Sequence, residues 1–250
     1  MARKPVRTRR EFLKKTFNTG IWATVATSGL IGPLIKAMAA VPKELPPGQS
    51  IYDFDGDVKV DDKSVTKDNM KKTVIRADSK VITGEDSWII FAVGKDAHHL
   101  RENSRLELEG SGLFEEGMRL LTGAILSVFA ERKADESQYK MHTSTATVGI
   151  RGTGVYAESE PALNRSYVCT CYGDVNISAS ANPSINEDIK ATHHENPRYI
   201  YADDSNGDII QPGPFKNHTD AELQLIETIV GRNTPYSSVK EAYPRPRKGY

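Results

Sequence analysis

The sequence predicts an all-β domain followed by one short C-terminal α-helix. Three observations lead there. Short apolar runs rich in β-branched and aromatic residues recur along 51–177, with Gly, Asp and Asn clusters between them. Several of these runs alternate polar and apolar residues, the period of a half-buried strand. A single segment near the C-terminus carries the helical period instead.

The strands follow in order. Asp57–Asp61 alternates, and Val81–Thr83 runs into the turn residues Gly84-Glu85-Asp86. Trp88–Val93 is a β-rich run stopped by Gly94. Arg105–Glu109 alternates cleanly, as does part of Ala124–Phe129. Thr145–Val148 and Val155–Ala157 flank an expected turn at Gly149-Ile150-Arg151-Gly152-Thr153-Gly154, and Ser166–Tyr172 and Val175–Ile177 complete the set. The segment 113–121 fits either a short helix or a loop. Residues 179–217 are irregular, with four prolines and one further strand candidate at Arg198–Tyr201. Thr219-Asp220-Ala221-Glu222 reads as a capping box, in which the Thr hydroxyl and the Glu carboxylate satisfy each other's backbone amides. Leu223, Ile226, Ile229 and Val230 form an apolar stripe and Gly231 is placed to end the helix, so a helix is predicted over 220–230.

The N-terminus has the three-part plan of an export signal. Arg9-Arg10-Glu11-Phe12-Leu13-Lys14-Lys15 precedes a moderately apolar stretch, and Ala37 and Ala39 are small enough for a signal peptidase. The arginine pair ahead of Phe-Leu-Lys resembles the twin-arginine class. The expected organisation is a signal over 1–39, a Pro-rich linker over 40–50, a β-domain over 51–180, an extension with the helix over 181–236, and a loose tail over 237–250. The apolar stretch is interrupted by Gly, Thr, Ser and Pro, so cleavage is expected rather than retention as a membrane anchor, with no span left afterwards. The expected location is the periplasm.

Export changes the charge balance. The full chain holds 33 basic and 33 acidic residues; 1–39 contain eight of the former and one of the latter, leaving the remaining 211 residues at −7. A mildly acidic domain has no electrostatic reason to bind nucleic acid or an anionic membrane.

The chemistry-bearing residues are few. Cys169 and Cys171 are two apart on an expected strand, so both sulfurs point to one face. They could ligate one metal, form a strained disulfide, or pack as small apolar groups; strand geometry spaces them poorly for a disulfide. His193 and His194 lie 22 and 23 residues after Cys171, and His218 sits just before the helix cap. If 179–217 folds back over the cysteine strand, these imidazoles converge with the sulfurs, a donor set suited to zinc or copper(I). A sulfur-to-imidazole separation above about 6 Å would exclude a shared site, given ligand bonds of about 2.0–2.3 Å. His98 and His99 are expected solvated or internally satisfied, with at most one buried, and His142 has no partner in sequence. Asp53–Asp57 lacks the distal Glu of a calcium loop, His194-Glu195 is not a His-Glu-x-x-His zinc motif, and no Gly-x-Ser-x-Gly nucleophile elbow occurs. No constellation points to catalysis.

The run Ala146-Thr147-Val148-Gly149-Ile150-Arg151-Gly152-Thr153-Gly154 resembles the signature of the FecR-type domain. Val81–Ser87, Asn103–Leu108 and Gly173-Asp174-Val175 match the same rhythm, so the resemblance covers about 51–180. It implies an extracytoplasmic module of stacked short strands, a β-solenoid or sandwich, in a stand-alone exported form carrying the Cys-x-Cys strand. By this reading the protein is a non-enzymatic binding or sensing module that contacts another envelope protein. Arg151 either locks its turn or presents a charge for binding. The alternative is a metal-binding or thiol-redox protein using Cys169, Cys171, His193, His194 and His218, with zinc or copper as the candidate ion.

Overall fold

The computed structural model describes residues 45–112, 114–132, 138–205 and 207–236. The expected signal over 1–39 and the expected tail over 237–250 lie outside the described residues.

The alternating runs become fourteen strands of one sheet: β1 (Ile51–Asp55), β2 (Val58–Val60), β3 (Lys63–Ser64), β4 (Lys80–Thr83), β5 (Trp88–Val93), β6 (Asp96–Leu100), β7 (Arg105–Ser111), β8 (Phe114–Val128), β9 (Tyr139–His142), β10 (Ala146–Glu160), β11 (Arg165–Ala179), β12 (Asn186–Ala191), β13 (Arg198–Tyr201) and β14 (Ile210–Pro212). The main path runs β14-β13-β11-β10-β9-β8-β7-β4-β2-β3, with β1-β5-β6 joined through β8 and with β12 on β11. The described pairings are antiparallel apart from β8 with β9. Among the described residues one α-helix, α1 (Asp220–Ile229), follows. Among the described residues no helix is long and apolar enough to cross a membrane.

The strands are not uniformly short. β8, β10 and β11 each span 15 residues, and each changes neighbours along its length. β10 pairs with β9 through Thr147–Ile150 and with β8 through Gly154–Ser159. The change falls at a register shift between Arg151 and Gly154. The expected turn at 149–154 is therefore a bulge inside a continuous strand, which bends it without ending it. Gly152 has φ +60° there, and a Cβ would come within 2.8 Å of the Glu131 backbone. At Gly154 a Cβ would sit 2.5 Å from the Tyr172 ring, so the missing side chain leaves room for that ring against the strand.

From residue 114 the ambiguous segment is neither helix nor loop; it opens β8. Met118 lies opposite Leu108 and Leu120 opposite Leu106, and all four are buried. Cross-strand packing overrides a weak local preference.

Alternation gives the sheet two packed faces. Ile125, Val155, Ala157 and Val168 point into a large, mainly aliphatic core. Their neighbours Leu126, Tyr156, Tyr167 and Cys169 point into a second core, which α1 covers with Leu223, Ile226 and Ile229. Coverage on both sides buries His98 and His99 together, correcting the expectation that one would stay exposed. His98 Nδ1 bonds Ser127 Oγ at 2.9 Å, and His99 Nε2 lies 3.3 Å from Arg101.

The capping box forms as read: Thr219 Oγ1 accepts from Glu222 N, and Glu222 Oε2 accepts from Thr219 N at 2.9 Å. Gly231 follows the helix with φ +74°. Leu45, in the middle of the Pro-rich segment, donates its amide to Ile229 O at 3.0 Å and packs on the second core.

Candidate metal centre

Strand period sets the first half of the site. Tyr167, Cys169 and Cys171 occupy alternate positions of β11 on its second-core face. Both cysteines are fully buried free thiols.

The second half comes from two loops. After β12 the chain turns back at residues 192–195, where Glu195 accepts from the amides of Thr192 and His193 at 2.6 and 2.8 Å. His194 adopts φ +58°, and its amide donates to Cys171 O at 2.9 Å. This brings its ring over the cysteine strand. His218 arrives from the approach to α1. Glu158, buried in β10, bonds Lys216 Nζ at 2.6 Å, Asn217 Nδ2 at 2.7 Å and Tyr156 OH at 2.7 Å. Burial opposes ionisation of Glu158, but those three donors hold its carboxyl below the usual range. The clamp fixes 216–218, and the Tyr156 ring stacks on His218 at 4.5 Å.

Four ligand-type atoms converge as a result. Cys171 Sγ lies 3.5 Å from His218 Nε2, Cys169 Sγ lies 3.8 Å from His194 Nδ1, and the two imidazole nitrogens are 3.1 Å apart. One donor atom from each of the four residues lies within 4.8 Å of the others.

The outer nitrogens identify the tautomers. His218 Nδ1 donates to Lys216 O at 2.7 Å, and a carbonyl only accepts, so Nε2 carries a lone pair in the neutral ring. His194 Nε2 donates to Asp220 Oδ1 at 2.7 Å, which leaves Nδ1 as the inward lone pair. Buried ligand imidazoles are commonly oriented by such partners. Burial works against the Asp220 carboxylate, yet the bonds from His194 and His193 keep it below its ordinary range. Burial likewise opposes charge on His194, but Asp220 and Cys169 raise its pKa.

The thiols are driven apart. Burial disfavours a thiolate at Cys169, but the hydrogen bond from Cys171 pulls it well below the ordinary thiol range, and the two imidazoles add to this when they are protonated. Burial and the adjacent Cys169 push Cys171 well above it. A buried pair shares its negative charge unequally when no other cation balances it.

Of the residues singled out in the sequence, the structure brings Cys169, Cys171, His194 and His218 together. His193 stands one layer out, with Nε2 3.0 Å from Asp220 Oδ2. Arg151 is not in this group: it is exposed at the β10 bulge, opposite Asp174. His142 bonds Thr147 at 3.1 Å. Sequence reading missed Asp220 and Glu158. Asp220 was visible only as the first helical residue of a capping box, and nothing local connects it to His193 and His194.

No protein-family model matches the chain, and no curated protein matches it. Two solved structures of a candidate anti-sigma factor from Parabacteroides distasonis, at 1.65 and 2.50 Å resolution, are similar in backbone with TM-score 0.44 and 9% identity, over 54% of this chain. The chain spans 58% of the length of that protein.

Proposed function

We propose that this protein is a metal-binding β-module in which Cys169, Cys171, His194 and His218 hold one tetrahedral zinc ion. The observation that carries the reading is the spacing of the donor atoms. Zinc bonds of about 2.3 Å to sulfur and about 2.0–2.1 Å to nitrogen place tetrahedral ligands about 3.3–3.8 Å apart. The separations here are 3.1, 3.5 and 3.8 Å. Two thiolates neutralise a divalent ion, which removes the charge problem of the buried thiol pair. Copper(I) suits the same soft donors, but four converging ligands favour zinc.

All four coordination positions come from the chain, and Cys169, Cys171 and His218 are buried. That is the pattern of a structural centre, since catalytic zinc sites keep a position open. The ion would join β11, the 192–195 turn and the start of α1, fastening the helix onto the sheet.

The test is elemental analysis of the purified, reduced chain beside C169S/C171S. One equivalent of zinc, lost in the variant, is expected; no metal in the wild type, with freely reactive thiols, overturns the reading. Cobalt substitution of the wild type needs no variant: tetrahedral d–d bands with thiolate charge transfer are expected, and an octahedral spectrum counts against the site.

The setting we propose is an exported binding or sensing module. The arginine pair of 1–39 and the FecR-like run at 146–154 support it. R9K/R10K should hold the chain in the cytoplasm, and continued export would remove this setting. The proposed partner is another envelope protein, and exposed Arg151 is the proposed contact. A photo-crosslinker at position 151 should trap one partner in intact cells; no adduct there, with adducts elsewhere on the surface, would discard Arg151.

A further inference from the structure

A largely buried four-ligand site needs a way in, and the residues just outside it are themselves ligand types. His193 Nε2 lies 3.1 and 3.0 Å from the two carboxylate oxygens of Asp220, and Asp220 Oδ1 lies 2.7 Å from His194 Nε2. One donor atom each from His193, His194 and Asp220 falls within 4.8 Å of the others. This group is reachable. The side chains of His193 and Asp220 are 18% and 14% exposed, whereas both cysteines are at 0% and His218 at 1%.

His194 belongs to both groups, with Nε2 facing outward and Nδ1 facing the sulfurs. The outer donors are imidazole and carboxylate, harder than the inner thiolates, and they bind a borderline divalent ion less tightly. Weak donors near solvent and strong donors behind them, sharing one ring, form a graded path.

We propose that His193, Asp220 and His194 Nε2 form an outer loading site that captures a divalent transition-metal ion, zinc in the first instance, and delivers it through His194 to the four inner ligands. The proposal rests on the inner site described under Proposed function. Capture displaces to solvent the proton that His194 Nε2 shares with Asp220. The ion then passes by ligand exchange from His194 Nε2 to His194 Nδ1 as the two sulfurs and His218 Nε2 take it up. As the sulfurs bind, the protons still held by the Cys169–Cys171 pair are released, one to His194 Nε2, which restores its hydrogen bond to Asp220, and any other to solvent.

The test is stopped-flow zinc uptake by the metal-stripped, reduced full chain and by H193A. H193A should still take up one equivalent at equilibrium, with an association rate lower by about tenfold or more and little change in dissociation. A residue that only positions His194 would instead weaken equilibrium affinity, by about 10–100-fold for such partners, through faster release. An association rate equal to wild type overturns the loading site while leaving the inner site standing; a wild type that binds no zinc overturns both. A second measurement needs no variant. After mixing with cobalt(II), an early phase without thiolate charge transfer should precede growth of that band, and a single phase carrying the band from the start would overturn the proposal.

Discussion

The two faces of the sheet are built from different chemistry. The larger core is almost entirely Ile, Val, Leu, Ala and Met from many strands, with Phe and Tyr139 added. The face beneath α1 carries Tyr156, Tyr167, Tyr172, Cys169 and Cys171, and it also buries His218, Glu158 and Glu227. Aliphatic packing is non-directional and scales with the apolar area removed from water. Buried polar groups stabilise a fold only when each is partnered. On this face the partners are specific: Glu158 has Lys216, Asn217 and Tyr156, while Glu227 has Tyr172 and Arg232. The first face can hold the strands together by composition, whereas the second depends on particular pairs and, in our reading, on an ion.

Removing the metal should weaken the second face most. With free zinc held about a thousandfold above its dissociation constant, chelation should lower stability by about 4 kcal/mol. Denaturant titration with and without chelator reads this, and an unchanged midpoint would mean that the second face stands without an ion. Truncating the first face sharpens the contrast. Leu106 is fully buried there, and L106A should cost about 3 kcal/mol through lost burial and the cavity left behind; zinc affinity, measured on the folded variant by competition with a chelator, should not change. D220N probes orientation within the second face. An amide in place of the carboxylate can present the wrong partner to His194, and zinc affinity should fall about 10–100-fold with the strand content by circular dichroism unchanged. The smallest effect belongs to the helix start. T219A should cost about 1 kcal/mol by removing the N-cap, with one equivalent of zinc still bound; loss of the metal as well would show that the cap also positions His218.

Local pattern carried much of this. The all-β class, the helix at 220–230 and the shared face of Cys169 and Cys171 all rest on period and capping, which neighbouring residues determine. Elements that depend on distant partners were less legible. The 149–154 run reads as a turn because glycines usually mark turns; only the change of partner from β9 to β8 makes it a bulge. His98 and His99 read as a half-exposed pair because alternation assumes one wet face, and here α1 helps to cover the other. Arg151 drew attention as the charge between glycines, yet it stands apart from the cysteine site.

The cysteines and histidines illustrate the division most clearly. By itself the sequence determined which donor atoms exist and that two sulfurs would share a strand face, because the period of a strand follows from backbone geometry. It left open which of three histidines would meet them. That was decided by tertiary structure: Glu195 closes the 192–195 turn, the Glu158 clamp holds 216–218, and Asp220 orients two rings at once. Those contacts join residues up to 59 positions apart, and no local preference encodes a distance between them. Only packing the loops and the helix against the sheet leaves room for one arrangement of the four ligands.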